Sequence, residues 1–193
     1  MTNIPQPNRT IWIIDAGYLI KAAPGKFDYL SLKRELEQLN GEPFLDTYYL
    51  NSTYNLRTDQ QDAFITWLKS APPKGPKMRV ILYELKEVHL RCTGCGAEYD
   101  KQLQKGVDVG LATLMIKLAY KNLCDRIILS AGDGDFQEAI DFLQSELRKE
   151  VWVTGFENSL SADLQSYADR VIWLEDLWPA IKKTGNGNRP DEI

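Results

Sequence analysis

Ile11-Trp12-Ile13-Ile14 is an unbroken apolar run that stops at a carboxylate, Asp15. A strand with one wet face alternates apolar and polar residues, so an unbroken run marks a strand covered on both faces. A second such run, Arg126-Ile127-Ile128-Leu129, leads into Ser130-Ala131-Gly132-Asp133-Gly134-Asp135-Phe136. Shorter strand patterns occupy residues 44–50, 78–85, 150–154 and 170–174. Helical spacing runs over 29–39, 59–68, 107–120, 136–147, 161–168 and 175–183. Strands alternating with helices predict a three-layer α/β domain around a mostly parallel sheet. The expected strand order, 3-2-1-4-5, sets the runs ending at Asp15 and Leu129 side by side. Residues 86–104 read as polar and irregular. The segment after Ala16-Gly17-Tyr18 reads as a loop holding Pro24 and Gly25. The domain is expected over residues 10–183, between a tail at 1–9 and a disordered tail at 184–193 that is rich in Gly and Asn.

Charge narrows the choice of function. The 193 residues suit one domain, and their net charge is −4. A broad basic surface for nucleic acid is therefore excluded, and any such contact must be local or relayed through cations. No apolar run is long enough to span a membrane, and the polar N-terminus lacks the pattern of a signal peptide. A cytoplasmic protein is expected. Three cysteines, Cys92, Cys95 and Cys124, do not suggest a disulfide scaffold.

The chemistry concentrates after residue 129. Asp133 and Asp135 sit two residues apart in a glycine-bearing turn between a strand and a helix. Helix capping accounts for one of them, not for the pair. In doubly wound folds, sites lie beyond the carboxyl ends of strands where the strand order reverses. Asp15 ends a strand at that edge, and Asp108 falls in the first turn of a helix that starts there. Four carboxylates brought together repel, so they need a cation or a proton. All-oxygen donors without histidine favour Mg²⁺ or Mn²⁺. Such ions serve displacement at phosphorus, with water as the nucleophile.

Three segments, Ile13-Ile14-Asp15-Ala16-Gly17, Lys105-Gly106-Val107-Asp108-Val109 and Ser130 to Phe136, resemble the NYN domains of the PIN-like superfamily, in particular their LabA-like branch. The resemblance spans about residues 10 to 175. It implies a PIN-like fold and a Mg²⁺-dependent ribonuclease, with RNA favoured over DNA and with the acidic positions on Asp15, Asp108, Asp133 and Asp135. Two positions depart from the pattern. Tyr18 stands where the family usually has Asn, and Leu114 stands where a further acid is often found. These departures keep alive a binding or regulatory module of the same fold. A metal-dependent phosphatase is a lesser alternative, because Gly17 occupies the place of its usual second Asp.

Around the acids, Tyr18, Lys21 and Lys105 are candidate substrate contacts, with Lys26, Lys101 and Arg91 as further cations in loops near the crevice. Tyr18 reads equally as a stacking platform for a base and as a cover for the first helix. His89, Cys92 and Cys95 have the spacing of half a zinc knuckle, offering three of the four ligands a tetrahedral site needs. A second subunit could complete it, making a homodimer one reading; free reduced thiols are the favoured one. Trp152, Trp173 and Trp178 are expected to pack the core.

Overall fold

Trp12 and Ile14 turn to one face of strand β1 (Thr10–Asp15), and Ile11 and Ile13 turn to the other. All four are at most 1% exposed, and full burial of side chains this large contributes about 1.5–3 kcal/mol each. The computed structural model describes residues 8–53, 57–103 and 106–183. After β1 come helices α1 (Ala16–Ala22) and α2 (Tyr29–Asn40), β2 (Asp46–Thr53), α3 (Asp59–Lys69) and β3 (Arg79–Glu84). A hairpin of β4 (Lys86–Arg91) and β5 (Glu98–Leu103) precedes α4 (Val107–Tyr120) and β6 (Arg126–Ser130). A 3-10 turn (Gly134–Phe136) opens into α5 (Gln137–Ser145), followed by β7 (Glu150–Gly155), α6 (Ala162–Tyr167), β8 (Arg170–Trp173) and α7 (Leu174–Ile181).

Six strands form one parallel sheet in the order β3-β2-β1-β6-β7-β8. This extends the expected 3-2-1-4-5 by one edge strand; the numbering shifts because the β4–β5 hairpin intervenes. One core packs α4, α5 and α6 on the Ile11–Ile13 face, and a second packs α1, α2, α3 and α7 on the Trp12–Ile14 face. The indole of Trp12 donates to Ser130 Oγ at 2.8 Å, so the buried N–H costs little and ties β1 to β6. Local signals set the helix ends. Thr58 and Gln61 form a capping box at α3, and Gly41, at φ +84°, ends α2 in the left-handed conformation. Ser161 caps α6 as expected.

Two expectations are corrected. The loop holding Pro24 and Gly25 starts later than expected: Asp15 Oδ1 accepts from the N–H of Tyr18 and starts α1 at once, so residues 16–22 are helical and the chain leaves the helix only at Ala23. Residues 86–104 are not irregular; 86–103 form an antiparallel hairpin with its own two-stranded sheet. Its β4 strand offers only Val88 and Leu90 as alternating apolar residues, too short a pattern to announce a strand. Trp152 is buried in the core, stacked under Arg126 and Arg170 at 4.0 and 4.6 Å from its ring centre, while Trp173 and Trp178 pack partly buried against the two cores. The tail expected at 184–193 lies outside the described residues.

Candidate functional site

The strand order reverses between β1 and β6, since the chain leaves β1 towards β2 and leaves β6 towards β7. Beyond the carboxyl ends of these two strands lies a cavity of about 480 Å³. Asp15 reaches it from the end of β1, Asp108 from the first turn of α4, and Asp133 from the loop after β6. Tyr18 and Lys21 line it from α1, with Gly132 and Ser159 on the far side.

The backbone sets the aim of two of the three acids. Asp15 is buried and gives one oxygen to the Tyr18 N–H at 3.1 Å. Asp133 gives Oδ1 to the Asp135 N–H, also at 3.1 Å, and so caps the 3-10 turn. In each case the second carboxylate oxygen is oriented without being used by that bond. Burial raises the pKa of Asp15, and the charges of Asp108 and Asp133 push it the same way, against the Tyr18 and Gly17 N–H groups. Asp108 is raised by burial and by the charges of Asp133 and Asp135. The four acids therefore share one electrostatic neighbourhood, with Asp135 exposed on the outer side of the turn and not lining the cavity.

Tyr18 is held on both sides. Its hydroxyl accepts from the Phe156 N–H at 3.1 Å and stands 2.9 Å from Ser159 Oγ, which itself donates to the Phe156 carbonyl at 3.2 Å. The donor directions close into a ring of three hydrogen bonds when the phenol donates to Ser159. Its aromatic ring lies over Gly132 and Gly155, where any Cβ would collide with it. The tyrosine is thus a wall of the cavity, braced from α1 across the sheet to the loop after β7. Leu114, at the other departure from the family pattern, packs against the α4 core and does not line the cavity.

Several sequence candidates are placed elsewhere. Lys21 lies in a helix, not a loop. Lys26 lines a separate cavity of about 240 Å³ beside Phe27 and Trp67. Arg91 and Lys101 belong to the hairpin strands, and Lys105 lies outside the described residues. His89 does not join Cys92 and Cys95. Its Nδ1 is 2.6 Å from Asp100 and its Nε2 3.4 Å from Glu98, and these contacts raise its pKa. The three-ligand zinc reading is therefore withdrawn. Ser159, Gly155 and Asp163 had no signal as separate letters. Asp163 Oδ2 and Ser161 Oγ both lie 3.3 Å from where a Cβ at Gly134 would stand, so the acidic turn packs on the start of α6.

Among the described residues, no three His, Cys, Asp or Glu side chains stand together as a group that could hold a metal ion. The donor chemistry nonetheless suits a hard cation, since every acidic donor is oxygen. Magnesium is commonly held by one or two carboxylates and waters, without a full protein cage. Asp15 and Asp133, each oriented by a backbone N–H, are the residues that would hold it, with Asp108 beside them in the cavity.

A doubly wound parallel sheet with acids at its switch point is the α/β architecture expected of a PIN-like domain. The NYN domain profile matches residues 1–175, and the chain belongs to the NYN domain family. It is 35% identical over 60 residues to the low amplitude and bright protein LabA of Synechococcus elongatus, a match covering 31% of this chain and 32% of that protein. The chain thus spans about a third of that relative's length. A protein of unknown function from Vibrio parahaemolyticus, VPA0982, has the same fold, with a TM-score of 0.67 and 23% identity over 89% of this chain and 96% of its own. Divalent metals and nucleic acid substrates are general to PIN-like nucleases. No helix of the described residues is long and apolar enough to cross a membrane.

Proposed function

We propose that this chain is a divalent-cation-dependent endoribonuclease of the NYN family, hydrolysing RNA phosphodiesters at the cavity between β1 and β6. The observation that carries it is the meeting of Asp15, Asp108 and Asp133, from three separate segments, in one cavity where Asp108 and Asp133 both push the Asp15 pKa upward. Bound Mg²⁺ or Mn²⁺ supplies positive charge for the phosphoryl oxygens and a more acidic water at neutral pH. Asp15 and Asp133, each fixed by a backbone N–H, hold that charge in place with little reorganisation. Asp108 and Asp135 strengthen the negative field around that charge. Lys21, exposed on α1 at the rim, receives a phosphate of the incoming strand. The braced Tyr18 ring walls the cavity on one side.

The test uses labelled single-stranded RNA with Mn²⁺, comparing the wild type with an Asp133→Asn/Asp135→Asn variant. Cleavage by the wild type and its loss in the variant are expected. Equal cleavage by both proteins, or none under any divalent cation, overturns the catalytic reading. One observation favours a second reading, an RNA-binding or regulatory module: the acids are not assembled into a three-donor group. RNA binding without turnover, unchanged in the same variant, would select it.

A further inference from the structure

The β4–β5 hairpin carries a feature that the acidic site does not use. Its strands pair only with each other and form a sheet separate from the central one. Residues 93–100, at and beyond its turn, are all exposed. The turn is Cys92-Thr93-Gly94-Cys95-Gly96, closed by the Cys92 N–H to the Ala97 carbonyl at 2.8 Å and the Gly96 N–H to the Cys92 carbonyl at 2.9 Å. Gly96 has φ +74°, a left-handed conformation that a side chain rarely adopts.

Within this turn the two thiols are neighbours. The Cys95 and Gly94 N–H groups both point at the Cys92 sulfur, and the Cys95 thiol also bonds to it. Backbone N–H groups aimed at sulfur stabilise a thiolate, the form that ligates metal. Two cysteines separated by two residues on a tight turn are half of a tetrahedral sulfur site.

The other half is not supplied from within the described chain. His89 is engaged by Asp100 and Glu98 on both ring nitrogens. Cys124 is fully buried just before β6, at the opposite end of the strand from the crevice edge. A second copy of the same turn, related by a two-fold axis, brings two more thiolates of the same kind. The Arg91 guanidinium lies 3.9 Å from where a Cβ at Gly96 would stand. Two copies of it would therefore flank a tetrathiolate zinc, whose net charge is −2, and offset that charge.

We propose that Cys92 and Cys95 of two copies bind one zinc ion between the hairpin tips, making a metal-bridged homodimer. Each thiol gives its proton to the buffer on binding, and no oxidation is involved. The site is separate from the acidic cavity, so RNA hydrolysis and zinc bridging stand or fall independently.

The 193-residue chain is stripped of metal under a non-thiol reductant and titrated with Co²⁺ as the spectroscopic probe, then with Zn²⁺, while mass is followed by light scattering after gel filtration. Thiolate-to-cobalt absorption saturating at one metal per two chains is expected, with the 22.0 kDa chain doubling in mass. Cys92→Ser and Cys95→Ser should each abolish both changes, while His89→Gln leaves them intact. Circular dichroism confirms that the variants fold, which is expected because the turn lies outside the central sheet. Saturation at one metal per chain without a mass change overturns the shared site. Failure to bind Co²⁺ with both thiols free also overturns it. An intramolecular Cys92–Cys95 disulfide formed in air, with no metal binding after reduction, would make the pair a redox couple and reject the proposal.

Discussion

Tyr18→Phe removes one oxygen atom and keeps the aromatic wall, which makes it a clean probe of how the crevice is held. The Phe156 N–H, on a residue 5% exposed, donates to the Tyr18 hydroxyl. Without that acceptor a buried N–H is left unpaired, which costs about 1–3 kcal/mol. Ser159 is exposed and keeps its bond to the Phe156 carbonyl, so its loss adds little. For a chain of this size each kcal/mol moves the melting temperature by about 2–4 °C, so the variant should melt about 2–12 °C below the wild type. Thermal denaturation by circular dichroism reads the shift, and fluorescence anisotropy with single-stranded RNA reads binding at a temperature where both proteins are folded. Because the ring remains, RNA affinity should be unchanged in Tyr18→Phe and reduced in Tyr18→Ala. A Tyr18→Phe melting point within about 1 °C of the wild type would refute the bracing role, since the resolvable cost of an unpaired buried N–H starts near that value.

Asp15 should oppose folding when it is ionised and metal-free. Its folded pKa is raised, so between the unfolded value, about 3.9, and the raised folded value the native state holds more protons than the unfolded state. Stability then falls as pH climbs through that window. Asp15→Asn keeps a cap oxygen for the Tyr18 N–H and removes the charge; it should raise the metal-free melting point at neutral pH and flatten this part of the pH profile. Mn²⁺ should stabilise the wild type and not the variant, and calorimetric scans from pH 4 to 8, with and without Mn²⁺ or after chelation, check both points. In Gly132→Ala the new Cβ would sit 2.5 Å from the Ser159 carbonyl oxygen and collide with the Tyr18 ring. Overpacking of this kind costs about 1–3 kcal/mol, and an unchanged urea midpoint would argue against so close an approach. At Gly155 the neighbours are the side chains of Tyr18 and Leu160, so the penalty of Gly155→Ala should shrink in a Tyr18→Ala background, a coupling measured by a double-mutant cycle.

What the sequence alone determined are the features written in neighbouring residues. An unbroken run such as Ile11 to Ile14 has only one kind of place in a fold, between two layers. The acids that end such runs are carried to the carboxyl edge by the direction of the strands. Asp15, Asp108 and the Asp133–Asp135 turn therefore belong to one edge on sequence grounds alone, and the Ser161 cap is equally local. The tertiary structure decided what depends on partners far along the chain. Tyr18 is braced by Phe156 and Ser159, 138 and 141 residues away, and nothing near Tyr18 in the sequence encodes that. His89 is taken by Asp100 and Glu98 because an antiparallel register sets Asp100 opposite it and Glu98 two residues along. That pairing separates it from the cysteines three and six residues on. Asp135 sits outside the cavity while Asp133 lines it, because the N–H of the one closes on the carboxylate of the other. Strand direction and burial are local properties of a covalent chain, whereas the aim of a side chain is settled by whatever the fold packs beside it.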